Sequence, residues 1–183
     1  MKTRSVILAF LCVLLSLNKV TAQTYYYNET KTFHENGYSY QCDKPEWGLI
    51  TLYNKANQYT YAKKKHKDGT AITDRKILHG ENIIEKDNWT RQKCFSIVNS
   101  AFSADEKKRV KGKEFTVSMT IDTSTGKVVE VDFDFFYSGI FGTIPVSTYR
   151  KIELELKDQI WFTLTNVGKS LNFTKIAWSH KVE

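Results

Sequence analysis

The sequence predicts an α+β fold: an antiparallel sheet with one or two helices packed on one face. Three observations carry that prediction. Phe115, Val117, Met119 and Ile121 alternate with polar residues, and Val129, Val131, Phe133 and Phe135 alternate with Glu130, Asp132 and Asp134. Period two over a paired stretch is the signature of half-buried antiparallel strands. Apolar residues at steps of three and four recur over residues 90–101 and 149–160, which is helical spacing. Between these runs stand turn dipeptides, Asn36-Gly37 and Gly126-Lys127 among them.

In chain order, residues 24–86 read as strand-rich. Thr32–Glu35 and Tyr38–Gln41 flank Asn36-Gly37, a hairpin in which Asn-Gly supplies the positive φ of a tight turn. Leu49–Tyr53 and Gln58–Ala62 are expected as further short strands, rich in aromatic and β-branched residues. Residues 87–111 read as helical: Thr90, Cys94, Ile97, Val98 and Ala101 share a face, and Ser103-Ala104-Asp105-Glu106 has capping-box spacing. Residues 113–180 read as strand, strand, helix, strand, strand. The helix follows Pro145 with Tyr149, Ile152, Leu156 and Ile160 inward and Arg150, Glu153 and Lys157 outward. The expected last strands are Trp161–Thr165 and Leu171–Trp178, joined by a turn at Asn166-Val167-Gly168-Lys169.

The amino terminus has the parts of a secretory signal over residues 1–22. Lys2 and Arg4 precede an apolar run from Val6 to Leu17, and Val20-Thr21-Ala22 offers small residues before a cut after Ala22. The run is shorter than the roughly 20 residues needed to span a bilayer. The expectation is an exported chain of one domain, 23–183, without a transmembrane segment, in the periplasm, at the cell surface or outside the cell. Cleavage would remove Lys2, Arg4 and Lys19 and no acid, so the formal charge would fall from +7 to +4. That charge calls for no nucleic-acid partner.

Cleavage would also remove Cys12, leaving Cys42 and Cys94. In an oxidising compartment an even pair most simply forms one disulfide, worth roughly 4 kcal/mol for a loop of this length. The plainer alternative is two unrelated buried thiols.

Motifs that suggest chemistry resolve into turns and faces. Gly126-Lys127-Val128 and Gly168-Lys169-Ser170 lack the first glycine of a nucleotide loop, since Ile121 and Thr163 stand there. Asp122-Thr123-Ser124-Thr125-Gly126 lacks the further ligands of a calcium loop. The histidines His34, His66, His79 and His180 have no metal-ligand spacing. No cofactor or metal is expected, and no catalytic residue is assigned. Glu130, Asp132 and Asp134 point off one side of a strand, with neighbours about 7 Å apart. They form either the solvated face of that strand or an acidic site at glycosidase-compatible spacing. Tyr25, Tyr26, Tyr27, Tyr38 and Tyr40 make the front half tyrosine-dense, and Lys63, Lys64 and Lys65 form a basic loop. Tyrosine combines flat apolar area with a polar tip, which suits a sugar or protein contact as well as sheet packing.

The segments F-T-V-S-M-T-I-D-T-S-T-G-K-V-V-E-V-D-F (115–133) and I-P-V-S-T-Y-R-K-I-E-L-E-L-K-D-Q-I-W-F-T-L-T-N-V-G-K-S-L-N-F (144–173) resemble small secreted proteins of unknown function from Gram-negative gut bacteria. Their layout also resembles, more loosely, the carboxy-terminal domain of TonB-type proteins, in which a strand pair precedes a helix and a final strand. The chain departs from TonB in having a cleavable signal and no proline-rich spacer, so no functional residue carries over. The reading that results is a non-enzymatic binding domain with a protein or glycan partner. Its rivals are a small envelope-polysaccharide hydrolase using the strand acids and an enzyme inhibitor.

Overall fold

The computed structural model describes residues 24–183; the expected signal segment 1–22 lies outside them. Six strands form one antiparallel sheet: β1 (Lys31–Glu35), β2 (Tyr38–Asp43), β3 (Leu49–Asn54), β4 (Glu114–Ile121), β5 (Val128–Phe136) and β6 (Thr174–Lys181), in the order β1-β2-β3-β5-β4-β6. The helices are α1 (Arg75–Leu78), α2 (Thr90–Ala101), α3 (Ala104–Val110), α4 (Val146–Gln159) and α5 (Asn166–Lys169). The two turns behave as their residues require. Asn36 and Gly37 take φ of 47° and 80° between β1 and β2. Gly126 takes φ of 75°, and a Cβ there would lie 2.1 Å from the carbonyl oxygen of Phe162. Asp122 completes that turn by accepting hydrogen bonds from the amides of Ser124 and Thr125.

The core lies between the sheet and the helices. Tyr149 of α4 is fully buried and packs against Phe133 and Phe135 of β5 and Phe115 of β4. Phe95 of α2 meets Trp178 and His180 of β6. The capping box at Ser103 and Glu106 opens α3 as its spacing predicts.

Several expectations are corrected. Residues 58–62 form no strand; they cross the sheet face away from the helices. Trp161 and Leu164 make only isolated bridges, to Lys127 and Ile84. Asn166–Lys169 is a helical turn capped by the Thr165 hydroxyl, not a hairpin, so β6 is the single strand after α4. Opposite Thr120–Ile121 the β4–β5 register shifts, Thr120 pairing with Glu130 and Ile121 with Val128. This bulge turns Val128 inward in place of Val129.

The disulfide is absent: Cys42 and Cys94 are free, buried thiols. Cys42 sits on β2, whereas Cys94 sits on α2 beside Met119 of β4 and Ile176 of β6. Strands β3 and β5 separate β2 from β4, so three inter-strand steps put about 14 Å between them. A disulfide needs Cα atoms within about 7 Å. Burial pushes the two thiols up to about 11 and about 12, so both stay protonated near neutral pH.

A candidate binding cleft on the open face of the sheet

Alternation along the strands places Thr51 and Tyr53 of β3, Glu130, Asp132 and Asp134 of β5, Thr116 and Ser118 of β4, and Lys175 and Ser179 of β6 on the face opposite the helices. The three acids on this face have separate fates. Glu130 is buried, and its two carboxylate oxygens accept the backbone amides of Gln58 (2.5 Å) and Tyr59 (2.9 Å). Asp132 is buried as well. It accepts from Asn57 Nδ2 and the Thr60 hydroxyl, both at 3.0 Å, and pairs with Lys175 Nζ at 3.0 Å. These two acids therefore do not form a solvated face; they are the pegs on which residues 57–60 hang.

Asp134 differs. Thr51 donates to one of its oxygens at 2.8 Å, and partial burial, with the Asp132 charge adding to it, raises its pKa above the ordinary carboxylate range. It lines a cleft of about 290 Å³ at the uncovered end of the sheet, with Leu49, Thr116, Phe136, Ile140 and Ser179. Glu114 stands beside them and accepts from the Ser179 hydroxyl at 2.9 Å. Phe136, paired with Leu49 across β3–β5, is 60 % exposed. In the turn before β3, Trp47 is 69 % exposed, and Tyr137 packs against Gly48 under the ammonium of Lys44. One end of the open face thus combines the exposed Phe136 ring with carboxylates and hydroxyls that can exchange hydrogen bonds with a polyhydroxylated ligand.

The tyrosine surface does not form as expected. Tyr27 and Tyr40 are fully buried. Tyr27 donates to the carbonyl of Ile144 (2.9 Å) and packs on Phe33, Phe135 and Tyr149. Tyr40 donates to Glu153. Tyr26 and Tyr38 are half-buried, and only Tyr25 is exposed among the five. Lys64 donates to the carbonyls of Ile77 and Leu78 at the end of α1. Lys63 and Lys65 are exposed, and Lys65 meets Asn172 through its backbone. With Tyr27 and Tyr40 buried and Lys64 turned onto the end of α1, these residues do not present one continuous tyrosine-and-lysine surface.

Sequence reasoning also missed Glu153. Expected outward, it is fully buried, receiving Tyr40, Asn54 Nδ2 (3.3 Å), Arg150 Nη1 (2.7 Å) and Lys157 Nζ (3.4 Å). It flanks the apolar stripe at Ile152 and Leu156, and such a flank is inward wherever another layer reaches over it. The available signal was its i−3 and i+4 placement between two cations.

Among the described residues, no helix is long and apolar enough to cross a membrane. No cluster of three or more potential metal ligands occurs among them.

A six-stranded antiparallel sheet with one layer of helices on it and a cleft at its end defines the class of this protein, an α+β domain. The chain belongs to the DUF5043 family, a domain of unknown function, whose match spans residues 23–178. It is similar to a crystal structure of a DUF5043 family protein from Bacteroides uniformis, with 36 % identity and a TM-score of 0.80. That likeness covers 87 % of this chain and 89 % of the other. No curated protein matches the chain.

Proposed function

We propose that the chain is an exported, non-enzymatic binding domain that takes a glycan at the uncovered end of its sheet. The observation that carries this reading is the cleft itself: exposed Phe136 beside Asp134, Glu114, Thr116 and Ser179, with Thr51 bonded to Asp134. Sugars offer an apolar ring face to aromatics and hydroxyls to carboxylates, and this surface presents both partners. The hydrolase reading loses Glu130 and Asp132, whose oxygens are committed to residues 57–60 and Lys175. Export is supported by the charged start, the apolar run and the small residues before Gln23, where the family match begins. No energy-transducing role is proposed from the loose resemblance to TonB-type proteins.

Calorimetry against a panel of soluble envelope and dietary polysaccharides tests the reading. Saturable binding by at least one of them is expected, falling about tenfold or more in Phe136→Ser, whose melting temperature stays near that of the parent. Undiminished binding in that variant would move the site elsewhere, and release of new reducing ends from the bound polysaccharide would restore the hydrolase.

A further inference from the structure

A second concavity lies on the helix side, under the outer flank of α2. Ile84, Phe95, Met119, Phe162, Ile176 and Trp178 line a cavity of about 380 Å³ between that helix, β4 and the edge strand β6. Its walls are apolar, and Phe95, Ile176 and Trp178 are half-buried, so it opens to solvent. The volume lies at the small end of the range for small-molecule sites.

Two charged residues stand at its mouth. Asp87 is committed to the start of α2: its carboxylate accepts the amides of Trp89 (3.0 Å) and Thr90 (2.9 Å) and the Thr90 hydroxyl. Arg91 is different. Its guanidinium lies over the Phe95 ring, 5.4 Å from the centroid, and has no acidic partner or hydrogen-bond acceptor among the described residues. Beside the mouth, Trp89 and the exposed Trp161 pack with centroids 4.5 Å apart.

We propose that this cavity binds an amphipathic monocarboxylate, an aliphatic or aromatic acid of moderate length, with its tail among Met119, Phe162, Ile176 and Trp178 and its carboxylate on Arg91. Charge complementarity favours the anion. The guanidinium fork has free donors that match a carboxylate in two places. Three of the roughly four acceptor positions of the Asp87 carboxylate are used by the amides of Trp89 and Thr90 and the Thr90 hydroxyl, so a cationic ligand has the poorer partner. The tail gains from displacing water off an apolar surface. The site shares no residue with the glycan cleft, so either reading stands without the other.

Tryptophan fluorescence reports directly, because Trp178 lines the cavity and Trp89 and Trp161 flank it. The probes are decanoate, decanol and decylamine, titrated into the purified chain. Decanoate is expected to saturate with one site, and decylamine to bind about tenfold more weakly or not at all. Arg91→Gln, an exposed change that leaves packing intact, should weaken decanoate about tenfold and leave decanol unchanged, as loss of a charged hydrogen bond predicts. Ile176→Trp, which fills the cavity, should abolish all three signals. Should that variant fail to fold, the comparison of Arg91→Gln across decanoate and decanol decides alone. No saturable change up to about 1 mM decanoate, a millimolar-class limit, would overturn the proposal. Equal affinity for decanoate and decylamine would overturn it too, as would full binding by a folded Ile176→Trp.

Discussion

The two faces of the sheet use carboxylates in opposite ways. On the helix side Glu153 is enclosed by a phenol, an amide and two cations, and Glu106, also buried, accepts from the Thr148 hydroxyl. On the open side, Glu130 and Asp132 fasten an irregular segment to the strand, while Asp134, two residues on, stays within reach of solvent. The first face is sealed by shape and the second by hydrogen bonds, so they should fail under different stresses.

The sharpest contrast is between neighbours on β5. Phe133→Ala removes a fully buried ring and should cost about 3–5 kcal/mol in denaturant unfolding. Asp134→Ala, one residue along on the opposite face, should cost under about 1 kcal/mol, the range of a partly exposed hydrogen bond. Similar losses at both would mean that the open face is packed as tightly as the core.

Acid should strike the helix side next. His180 is buried against Phe95 and Phe115, takes a hydrogen bond from Trp178 Nε1 and faces Asn99. Burial lowers its pKa to about 4, against about 6.5 in an unfolded chain. The unfolded state therefore binds the proton first. The stabilisation is complete above pH 6.5 and is lost as pH falls toward 4, up to about 3 kcal/mol. Urea midpoints between pH 7 and 4 should show this slope, and His180→Gln should flatten it. An unchanged slope in that variant would assign the loss to other groups.

A smaller effect belongs to the segment hung on β5. Glu130→Ala leaves the Gln58 and Tyr59 amides without their acceptor, an expected cost of about 1–3 kcal/mol. Hydrogen exchange at those two amides should accelerate more than at Val131 or Phe133. Uniform acceleration along the sheet would show instead that the segment and the core unfold together.

The smallest expected effect is none. Because Cys42 and Cys94 are separate buried thiols, a reductant should leave the melting temperature unchanged, and alkylation should reach both cysteines only after unfolding. A drop in melting temperature with reductant would reinstate the bridge.

Period-two and helical spacing made most of the sheet and the two longer helices legible, since those patterns are local. What failed depended on strand order. Cys42 and Cys94 paired on paper because their number was even, yet two strands stand between the one carrying Cys42 and the one under Cys94. The alternation of Glu130, Asp132 and Asp134 placed them on the right face. It could not show that residues 57–60, more than 70 positions earlier, return to cover two of them. Residues 58–62 carried strand-like composition because their tyrosines pack, Tyr59 on Phe173 and Tyr61 on Tyr53, without belonging to a ladder. Of the cleft, the sequence marked only Asp134: Thr51, Thr116, Phe136 and Ser179 come from four strands, and only the fold makes them neighbours.

The grip of Glu130 on Gln58 and Tyr59 has an evolutionary consequence. It clasps main-chain N–H groups, which every residue except proline supplies in identical form. The path of the strap over the sheet is thereby decoupled from the identity of its side chains at those two positions. Substitution at the exposed Gln58 can therefore change the surface relief while the backbone hydrogen bonds that set the strap's course remain.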